Sequence, residues 1–326
     1  MFSRRIGAAV LRAGVARPPV LRATNVRLPV VYATATRTMA GQPHVKEKLP
    51  KVDPRKTNER FREFSLTGKV FAVTGGARGL GLAMAEALVE AGGEVYCLDR
   101  LPEPDDEFHA AQARANPDFG GSLHYRRVDV TNNADTEAVM EEIASQKNRL
   151  DGLIAAAGIN HVENAIDQSP KVVEDVIHIN YTGVFRSAVA AAKAMMDRKC
   201  QGSILLVASM SGLVANKGMS SAVYNSSKAA VIQLTRSLAM EWSKVGKDGR
   251  GGIRVNCLCP GHIETPMVQM VVEKDPKTRE LWESENMLKR LARPEEFRGV
   301  TLLLMSDASS FMTGSTVVVD GGHTAW

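Results

Sequence analysis

The sequence predicts an α/β fold in three layers, built on a doubly wound parallel sheet of seven strands. From Lys69 onward, short runs rich in β-branched residues alternate with longer helix-like stretches. Strands separated by helices of this length are typical of right-handed βαβ crossovers, and hence of a parallel sheet with helices on both faces. A glycine-rich turn follows the first run directly, which places a candidate ligand site at the carboxyl end of the sheet.

Seven runs are candidate strands. In chain order they are Val70–Thr74, Glu94–Asp99, Leu123–Asp129, Gly152–Ala157, Ser203–Ala208, Ile253–Leu258 and Thr316–Val319. We expect the spatial order 3-2-1-4-5-6-7, in which functional side chains meet at the carboxyl ends of the strands. The polar stretch Pro102–Gly121 is predicted to be a loop with one or two helical turns. Residues 266–292 interrupt the alternation with an amphipathic insert, where a lid could lie.

The N-terminal segment differs in composition from the rest of the chain. Residues 1–40 contain seven arginines, several hydroxyl side chains and no acidic residue, which is typical of a mitochondrial presequence. We therefore expect import into the mitochondrial matrix and removal of this segment, with Arg37 near the cut; the alternative is a basic tail without function. Residues 41–65 form a polar lead-in, and residues 66–326 are predicted to be a single domain.

Bulk composition argues against several classes of protein. The formal net charge of +5 arises in the first forty residues, because without their seven arginines the chain has 34 basic and 36 acidic residues. No basic surface for nucleic acid is therefore expected. No apolar run approaches the roughly 18–20 residues of a membrane span. The four cysteines lack a C-x-x-C pair, so we interpret them as small buried apolar residues and expect no metal site.

The glycine-rich turn has the spacing G-x-x-x-G-x-G, formed by Gly75, Gly79 and Gly81. Glycine lets the backbone turn sharply and approach a pyrophosphate closely, and the N-terminus of the next helix directs free N–H groups at the negative charge. A strand before the turn and a helical run after it, Leu82–Glu90, are the context that such a motif requires. The turn therefore predicts a Rossmann-type dinucleotide site.

The choice between NAD and NADP depends on the end of the second strand. Asp99 lies there, 24 residues beyond Gly75, and a carboxylate at this position accepts hydrogen bonds from an adenosine ribose and repels a 2′-phosphate. Arg78 and Arg100 favour the opposite choice, since either could pair with that phosphate. The carboxylate is expected to lie nearest the ribose, so we predict NAD as the cofactor, with NADP as the alternative.

A tyrosine and a lysine form the candidate proton-transfer pair. Tyr224 and Lys228 are four residues apart in a long helical run, Ser221–Trp242, so their side chains share one helix face. A free phenol has a pKa of about 10, and a nearby ammonium favours the phenolate and lowers that pKa. Ser209 follows an apolar strand and is expected to project into the same crevice, where it could donate a hydrogen bond to a substrate oxygen beside Tyr224; Ser211 is the weaker candidate.

These motifs, taken in order, resemble the short-chain dehydrogenase/reductase family over about residues 66–326. The resemblance implies a catalytic tetrad of Ser209, Tyr224, Lys228 and Asn180, with Asn180 holding a water that links Lys228 to solvent. It also implies that Asp129 contacts the adenine of the cofactor. The cofactor-binding positions that it implies are Gly75, Arg78, Gly79, Leu80, Gly81, Asp99, Asp129, Val130, Ala157, Gly158, Tyr224, Lys228, Pro260, Gly261, Ile263 and Thr265.

One segment departs from the family pattern. Where the family usually has Asn-Asn-Ala-Gly after the fourth strand, this chain has three alanines before Gly158. The first asparagine braces the sheet, so we expect its backbone hydrogen bonds to be satisfied in another way. A narrower resemblance, carried by residues 208–212, 237–242 and 320–326, is to fungal polyol and ketose reductases of the family. It implies a small polyhydroxylated substrate.

The sequence leaves three functions open. The first is a mitochondrial, NAD-linked oxidoreductase that interconverts a sugar alcohol and a ketose. The second is a mitochondrial 3-hydroxyacyl or 3-oxoacyl reductase, because the same tetrad serves acyl substrates. A basic patch for the acyl carrier or coenzyme would favour it, and the near-neutral body does not. The third is a non-catalytic NAD-binding scaffold, against which the intact tetrad argues. The resemblance also implies a homodimer or homotetramer, since one sheet covers only one face of the apolar helix that carries Tyr224.

Overall fold

Seven parallel strands form one sheet in the computed structural model, which describes residues 61–115, 120–274 and 277–326. Their order across the sheet, β3-β2-β1-β4-β5-β6-β7, is the predicted one. The strands are β1 (Val70–Thr74), β2 (Glu94–Asp99), β3 (Ser122–Arg127), β4 (Gly152–Ala155), β5 (Ser203–Val207), β6 (Arg254–Pro260) and β7 (Thr316–Val319). The predicted presequence, residues 1–40, and residues 41–60 of the lead-in lie outside the described residues.

Helices connect the strands and cover both faces of the sheet. In chain order they are α1 (Gly79–Glu90), α2 (Asp106–Arg114), α3 (Asn133–Lys147), α4 (Pro170–Ile177), α5 (Val184–Asp197), α6 (Ala222–Trp242), α7 (Pro266–Lys274), α8 (Lys277–Glu285) and α9 (Arg298–Met305). Polar side chains start several of them: Asn132 caps α3 by accepting from the N–H groups of Ala134 and Asp135, and Ser169 caps α4 by accepting from that of Val172.

The core lies on the two faces of the sheet, because successive side chains of a strand point to opposite sides. Along β1, Val70 and Ala72 belong to one apolar cluster, which is packed against α3, α5 and α6. Phe71 and Val73 belong to the other, which is packed against α1, α2 and α9. All five residues of β1 are buried, as expected for the central strand of a three-layer fold.

Several predicted strand ends are wrong by one or two residues. The third strand spans Ser122–Arg127 instead of Leu123–Asp129, since Asp129 turns away to accept from the N–H of Thr131. The fourth strand ends at Ala155 instead of Ala157, and the fifth ends at Val207 instead of Ala208. After each of these strands the backbone turns into the site. The sixth spans Arg254–Pro260 instead of Ile253–Leu258, because pairing with β7 continues to Pro260.

Two regions between the strands also differ from expectation. The stretch Pro102–Gly121 contains a helix of nine residues, α2, which buries Phe108 and Ala111 against the core. The helix after the glycine-rich turn begins at Gly79, one turn before the predicted Leu82. Two short helices, α7 and α8, make up most of the predicted insert at residues 266–292. These local elements depend on contacts that are distant in sequence, which the pattern of one segment does not contain.

Candidate active site

The glycine-rich turn joins β1 to α1 in a geometry that only glycine permits. Gly75 has a φ of 67°, and a side chain there would have its Cβ 2.8 Å from the backbone N and Cα of Ala157. A Cβ on Gly81 would lie 2.1 Å from the carbonyl oxygen of Gly75. The first N–H groups of α1 therefore face the turn without intervening side chains, which suits a phosphate group.

Polar groups around the turn already show this preference for anions. The backbone N–H of Gly79 donates to a carboxylate oxygen of Glu107 at 3.5 Å. A Cβ on Gly79 would lie 3.6–3.8 Å from Pro266 and Thr265, so the turn faces the residues that follow β6. Arg78 is exposed, and Leu80 packs against the apolar cluster on its side of the sheet. The three glycines of the turn thus leave space for the pyrophosphate of a dinucleotide, with the exposed Arg78 beside it.

Asp99 lies at the end of β2, beside the turn. Its two carboxylate oxygens accept from the N–H groups of Ala77 and Leu101, each at 3.4 Å. These bonds are long, so the carboxylate keeps the capacity to accept from a ribose hydroxyl. Arg78 and Arg100, the two competing cations, are both exposed.

Asp129 and Val130 continue the same edge of the sheet beyond β3. Hydrogen bonds from the backbone N–H and the hydroxyl of Thr131 lower the pKa of Asp129, which is exposed. Val130 is buried and packs against Gly183, where a Cβ would come within 2.9 Å of a Val130 methyl group. The carboxylate therefore stays charged in solution and lies next to the helix that carries Asn180.

The three alanines that end β4 and follow it are hydrogen-bonded to β1. The N–H of Ala156 donates to the carbonyl of Thr74 at 3.1 Å, and the N–H of Ala157 lies 3.4 Å from the Thr74 hydroxyl oxygen. Thr74 thus satisfies the backbone N–H groups of Ala156 and Ala157. Gly158 follows, and a Cβ there would lie 3.2 Å from Asn180 Oδ1 and 3.4 Å from Lys228 Nζ.

Asn180 lies in a π-helical turn, His178–Gly183, between α4 and α5. Such turns are rare and are often found at functional sites. The Asn180 side chain is completely buried and fully bonded: Oδ1 accepts from the N–H of Ile159 at 2.8 Å, and Nδ2 donates to the carbonyl of Ile159 and to Ser227 Oγ at 2.9 and 3.1 Å. Ser227 in turn donates to the carbonyl of Tyr224 at 2.7 Å. Asn180 therefore ties the chain after β4 to the helix that carries Tyr224.

Ser209, Tyr224 and Lys228 come together at the carboxyl end of β5. The Ser209 side chain is the hydrogen-bonding partner of the Tyr224 hydroxyl, and its oxygen accepts a hydrogen bond from the N–H of Ser211 at 3.1 Å. Lys228 is 5% exposed, and its Nζ donates to the carbonyl of Val207 at 3.0 Å and lies 5.7 Å from the centre of the Tyr224 ring. The structure thus brings together all four residues of the predicted tetrad.

The pKa values of this pair follow from burial more than from each other. Burial raises the pKa of Tyr224, and the hydrogen bond from Ser209 opposes that rise. Burial lowers the pKa of Lys228 to about 8, since desolvation disfavours the charged form of both groups. The expected lowering of the Tyr224 pKa by Lys228 is therefore wrong for the protein alone. The Lys228 ammonium donates a hydrogen bond to the carbonyl of Val207 and loses its proton at a lower pH than an ordinary lysine. Ser209 is the group that lowers the pKa of Tyr224.

The residues after β6 form the other wall of the site. The N–H of Gly261 donates to the carbonyl of Val319 at 2.9 Å, and a Cβ on Gly261 would lie 2.6 Å from the Cα of Asp320. Ile263 is buried and bridges to Ala292, and the N–H of Thr265 donates to the carbonyl of Ile263 at 2.8 Å. Pro260 ends the strand, so this segment leaves the sheet at the same edge as Ser209.

Sequence reasoning missed two residues near this edge. His262, directly after Gly261, is buried and stacked on Trp282 of α8. Asn216 is buried and donates from Nδ2 to Ser211 Oγ at 2.6 Å, which links it to Ser209 through one residue. The only sequence signal was the position of His262, beside the predicted turn of the cofactor site.

The described residues give no sign of a metal site or of a membrane segment. No group of three or more His, Cys, Asp or Glu side chains in this part of the chain could hold a metal ion. The longest described helix, α6, has 21 residues, and no described helix has an apolar stretch that could cross a bilayer. Cys97, Cys257 and Cys259 are buried, and Cys200 is partly buried, all as free thiols.

Known proteins match most of the chain. The family profile described as "Enoyl-(Acyl carrier protein) reductase" matches residues 75–324. The short chain dehydrogenases/reductase notP' of Aspergillus versicolor is 40% identical over 267 residues, which cover 81% of this chain and 89% of the relative. Galactitol 2-dehydrogenase of Rhizobium johnstonii is 38% identical, covering 81% and 98%. The ribulose-forming D-arabinitol 2-dehydrogenase of Candida tropicalis is 35% identical, covering 81% and 95%.

Solved structures match the same region. A short-chain type dehydrogenase/reductase from Mycobacterium marinum has a TM-score of 0.72 and 35% identity, covering 81% of this chain and 98% of its own. A gluconate 5-dehydrogenase from Burkholderia cenocepacia, solved with NADP and tartrate, has a TM-score of 0.71 and 30% identity, covering 81% and 98%. A further relative by sequence, the NADP-dependent mannitol dehydrogenase of Hypocrea jecorina, is 34% identical, covering 80% of this chain and 94% of the relative.

Proposed function

Because this chain belongs to the short-chain dehydrogenase/reductase family, we propose that it interconverts a sugar alcohol and the corresponding ketose, with NAD(H) as its cofactor. It is an oxidoreductase that acts on alcohol groups. The observation that carries the proposal is the group of Ser209, Tyr224 and Lys228, in which the hydroxyl of the partly exposed Tyr224 is paired with the buried Ser209 beside a buried amine. That arrangement is suited to moving one proton at one oxygen atom.

The chain's own residues account for the proton. A bound nicotinamide would supply or accept a hydride at the reacting carbon. In the direction of reduction, Tyr224 gives its proton to the substrate oxygen, and Ser209 donates a hydrogen bond to the same oxygen. Ser209 is ready for this role because its own oxygen is already an acceptor for the N–H of Ser211. A substrate oxygen beside Tyr224 would then receive the hydroxyl proton of Ser209 in a hydrogen bond.

Lys228 restores the proton that Tyr224 gives up. Its pKa of about 8 means that the amine exchanges its proton near neutral pH, which an ordinary lysine does not. It would also hold the nicotinamide ribose, as the family resemblance implies. Asn180 fixes the chain at Ile159 and the helix at Ser227, and the water that the resemblance assigns to Asn180 remains a prediction.

The relatives favour a polyol as substrate. The galactitol and D-arabinitol dehydrogenases named above match almost over their full length. The acyl reductase alternative has weaker support, since among the matches only the name of the family profile favours it. Assays of the purified chain with a panel of polyols, ketoses and 3-oxoacyl thioesters test the two. Turnover of thioesters with no turnover of polyols or ketoses would contradict the proposal, and no turnover at all would favour a scaffold.

NAD is the proposed cofactor because of Asp99. The carboxylate lies beside the glycine-rich turn and has acceptor capacity left for a ribose hydroxyl. Arg78 and Arg100 are the opposing argument, and two of the matched proteins are named with NADP. Comparing kcat/KM with the two cofactors in the same assay decides the question. A tenfold preference of the wild type for NADP(H) would mean that the arginines outweigh Asp99.

Localisation and assembly are further parts of the proposal. We infer a mitochondrial matrix enzyme from residues 1–40, and N-terminal sequencing of protein isolated from organelles tests it; an intact Met1 would contradict cleavage. We infer a homodimer or homotetramer from α6, whose outward face exposes Ala229 and 76% of Met240, although Gln233 and Arg236 interrupt it. A monomer in light scattering at micromolar concentration would contradict the assembly.

A further inference from the structure

His262 is a buried histidine whose ring makes no hydrogen bond. Only 7% of its surface is exposed, and neither Nδ1 nor Nε2 has a hydrogen-bond partner among the described residues. A neutral imidazole has one N–H donor and one nitrogen acceptor. Burying both without partners is unfavourable, and buried polar groups in proteins are almost always paired. This makes His262 a candidate for binding a ligand.

Two aromatic rings contact this histidine, and one of the two, His323, also lines a neighbouring cavity. The His262 ring stacks on Trp282 with centroids 4.1 Å apart and an interplanar angle of 13°, and His323 meets it edge-on at 5.3 Å. His323 also lines a cavity of about 460 Å³, a volume in the range of small-molecule sites. The other residues that line it are Val214, Ala215, Lys217, Ser284, Glu285, Thr324 and Trp326.

Chain segments that follow β5 and β6 link the cavity and His262 to the edge of the sheet that carries the catalytic residues. Val214 and Ala215 follow the short turn that begins at Ser209, and Val214 donates its N–H to the carbonyl of Met210 at 3.2 Å. His262 follows β6, and β6 is the neighbour of the strand that ends before Ser209. The cavity, His262 and the tetrad thus share one edge of the sheet.

We propose that this cavity recognises the part of a neutral polyhydroxylated substrate beyond its reacting carbon, and that His262 forms a hydrogen bond with one of its hydroxyls. The inference rests on the proposed function and names His262 as the specificity-determining residue. A hydroxyl approaching from the cavity replaces the edge contact of His323 and pairs with a ring nitrogen. Trp282 remains behind the imidazole and keeps its plane fixed.

The charges near the cavity favour a neutral ligand. Burial, together with His323, lowers the pKa of His262 to about 3, so the imidazole is neutral at physiological pH and offers no positive charge to a carboxylate. The cation and anion that line the cavity, Lys217 and Glu285, lie 3.5 Å apart and pair with each other. A polyol hydroxyl can both donate and accept, which matches a neutral imidazole in either tautomer.

His262→Phe in the full chain is the principal test. Phenylalanine keeps a ring against Trp282 and removes both nitrogens. For the best polyol or ketose of the panel, KM is expected to rise about tenfold or more. For the best ketone without further hydroxyls, it is expected to change less than about twofold. His124→Phe is the matched control, because His124 also stacks on an aromatic ring, Tyr96, at 4.7 Å, and it should change neither value.

The outcomes separate this inference from the proposed function. If the wild type turns over polyols but His262→Phe raises the KM of both substrates equally, or of neither, the inference is wrong and the function stands. A wild type that turns over only ketones without further hydroxyls also overturns it. A wild type without any alcohol or ketone activity contradicts the proposed function instead.

A measurement on the unmutated protein covers the case in which the variant does not fold. In wild-type protein with ¹⁵N-labelled histidines, the polyol added to the cofactor complex should shift one ring-nitrogen resonance of His262. His262→Gln, which keeps one donor and one acceptor, identifies that resonance by its loss and should retain more of the polyol preference than the Phe variant. An unchanged resonance at saturating polyol would overturn the inference.

Discussion

The two ends of the sheet differ in how many hydrogen-bond partners their buried polar groups have. At the amino end, burial lowers the pKa of Arg254, yet its guanidinium donates to the carbonyls of Leu304 and Ser306 at 3.2 and 2.9 Å and to Ser309 Oγ at 2.7 Å. Asp151, before β4, accepts from the N–H of Val70 at 2.8 Å and also pairs with an arginine. Polar groups at this end are bonded from several sides.

The carboxyl end leaves comparable groups with few partners. Five buried side-chain atoms have no hydrogen-bond partner within the described ranges, and four of them belong to Asn160, Asn216 and His262, which follow β4, β5 and β6. Lys228 is buried with the carbonyl of Val207 as its hydrogen-bond acceptor. Unsatisfied buried groups cost stability, and such costs are usual where a protein binds or reacts. Variants at the amino end should therefore affect folding, and variants at the carboxyl end should affect turnover.

Tyr224→Phe should give the largest effect on turnover. The variant keeps the ring and removes only the proton, so kcat should fall by about 10²–10⁴, while the affinity for the cofactor, measured by fluorescence titration, should change little. Tyr96→Phe is the control, because its hydroxyl bonds to Glu94 and Gln146 away from the site. If Tyr224→Phe retains most of its activity and its pH profile, a water transfers the proton and the proposed role of Tyr224 is wrong.

Arg254→Met should give the largest effect on folding. The variant removes the donor to at least three buried acceptors, and the free energy of unfolding should fall by about 2–4 kcal/mol. Urea denaturation measures it, while kcat of the protein that remains folded should be close to that of wild type. Arg250→Met is the control, since Arg250 is half exposed and pairs with surface aspartates; it should change stability by less than about 1 kcal/mol. An Arg254 variant of normal stability would remove the contrast between the two ends.

The sequence predicted the sheet well because its strands are set by local pattern. The runs of β-branched residues fixed all seven strands, and the helical spacing placed Tyr224 and Lys228 on one face of α6. Strand ends were less accurate because partners set them: β6 reaches Pro260 only since β7 pairs with it. His262 could not be predicted, because its burial depends on Trp282 and His323, which are distant in sequence. The predicted lowering of the Tyr224 pKa was wrong for the same reason, because the burial that raises this pKa exists only in the folded protein.

Lys228→Met should lower catalytic activity and at the same time raise the free energy of unfolding. Activity should be lost with Lys228, but the variant should be more stable than wild type at pH 7 by about 1–3 kcal/mol, because a buried cation is removed at the expense of one hydrogen bond. Below pH 8 the lysine is protonated in both the folded and the unfolded chain. Between pH 8 and 10.5, the unfolded lysine binds the proton more tightly, so the stability of the wild type rises with pH.

The stability advantage of the Met variant should therefore be largest below pH 8 and shrink toward pH 10.5. Urea denaturation of both proteins at several pH values measures it. A Met variant that is less stable than wild type at pH 7 would show that Lys228 supports the fold, and would contradict the division between the two ends.

Asp99→Ser should give the smallest effect and sharpen the comparison along the carboxyl edge itself. Asp99 is only partly buried and weakly bonded, so its loss should not affect folding measurably. The variant removes the repulsion of a 2′-phosphate and leaves Arg78 and Arg100 in place, so the ratio of kcat/KM for NADP(H) to that for NAD(H) should rise about tenfold, which corresponds to roughly 1.4 kcal/mol. Glu103→Gln removes a nearby charge and should leave the ratio unchanged. If both variants shift the ratio equally, overall charge and not the position of Asp99 determines the choice of cofactor.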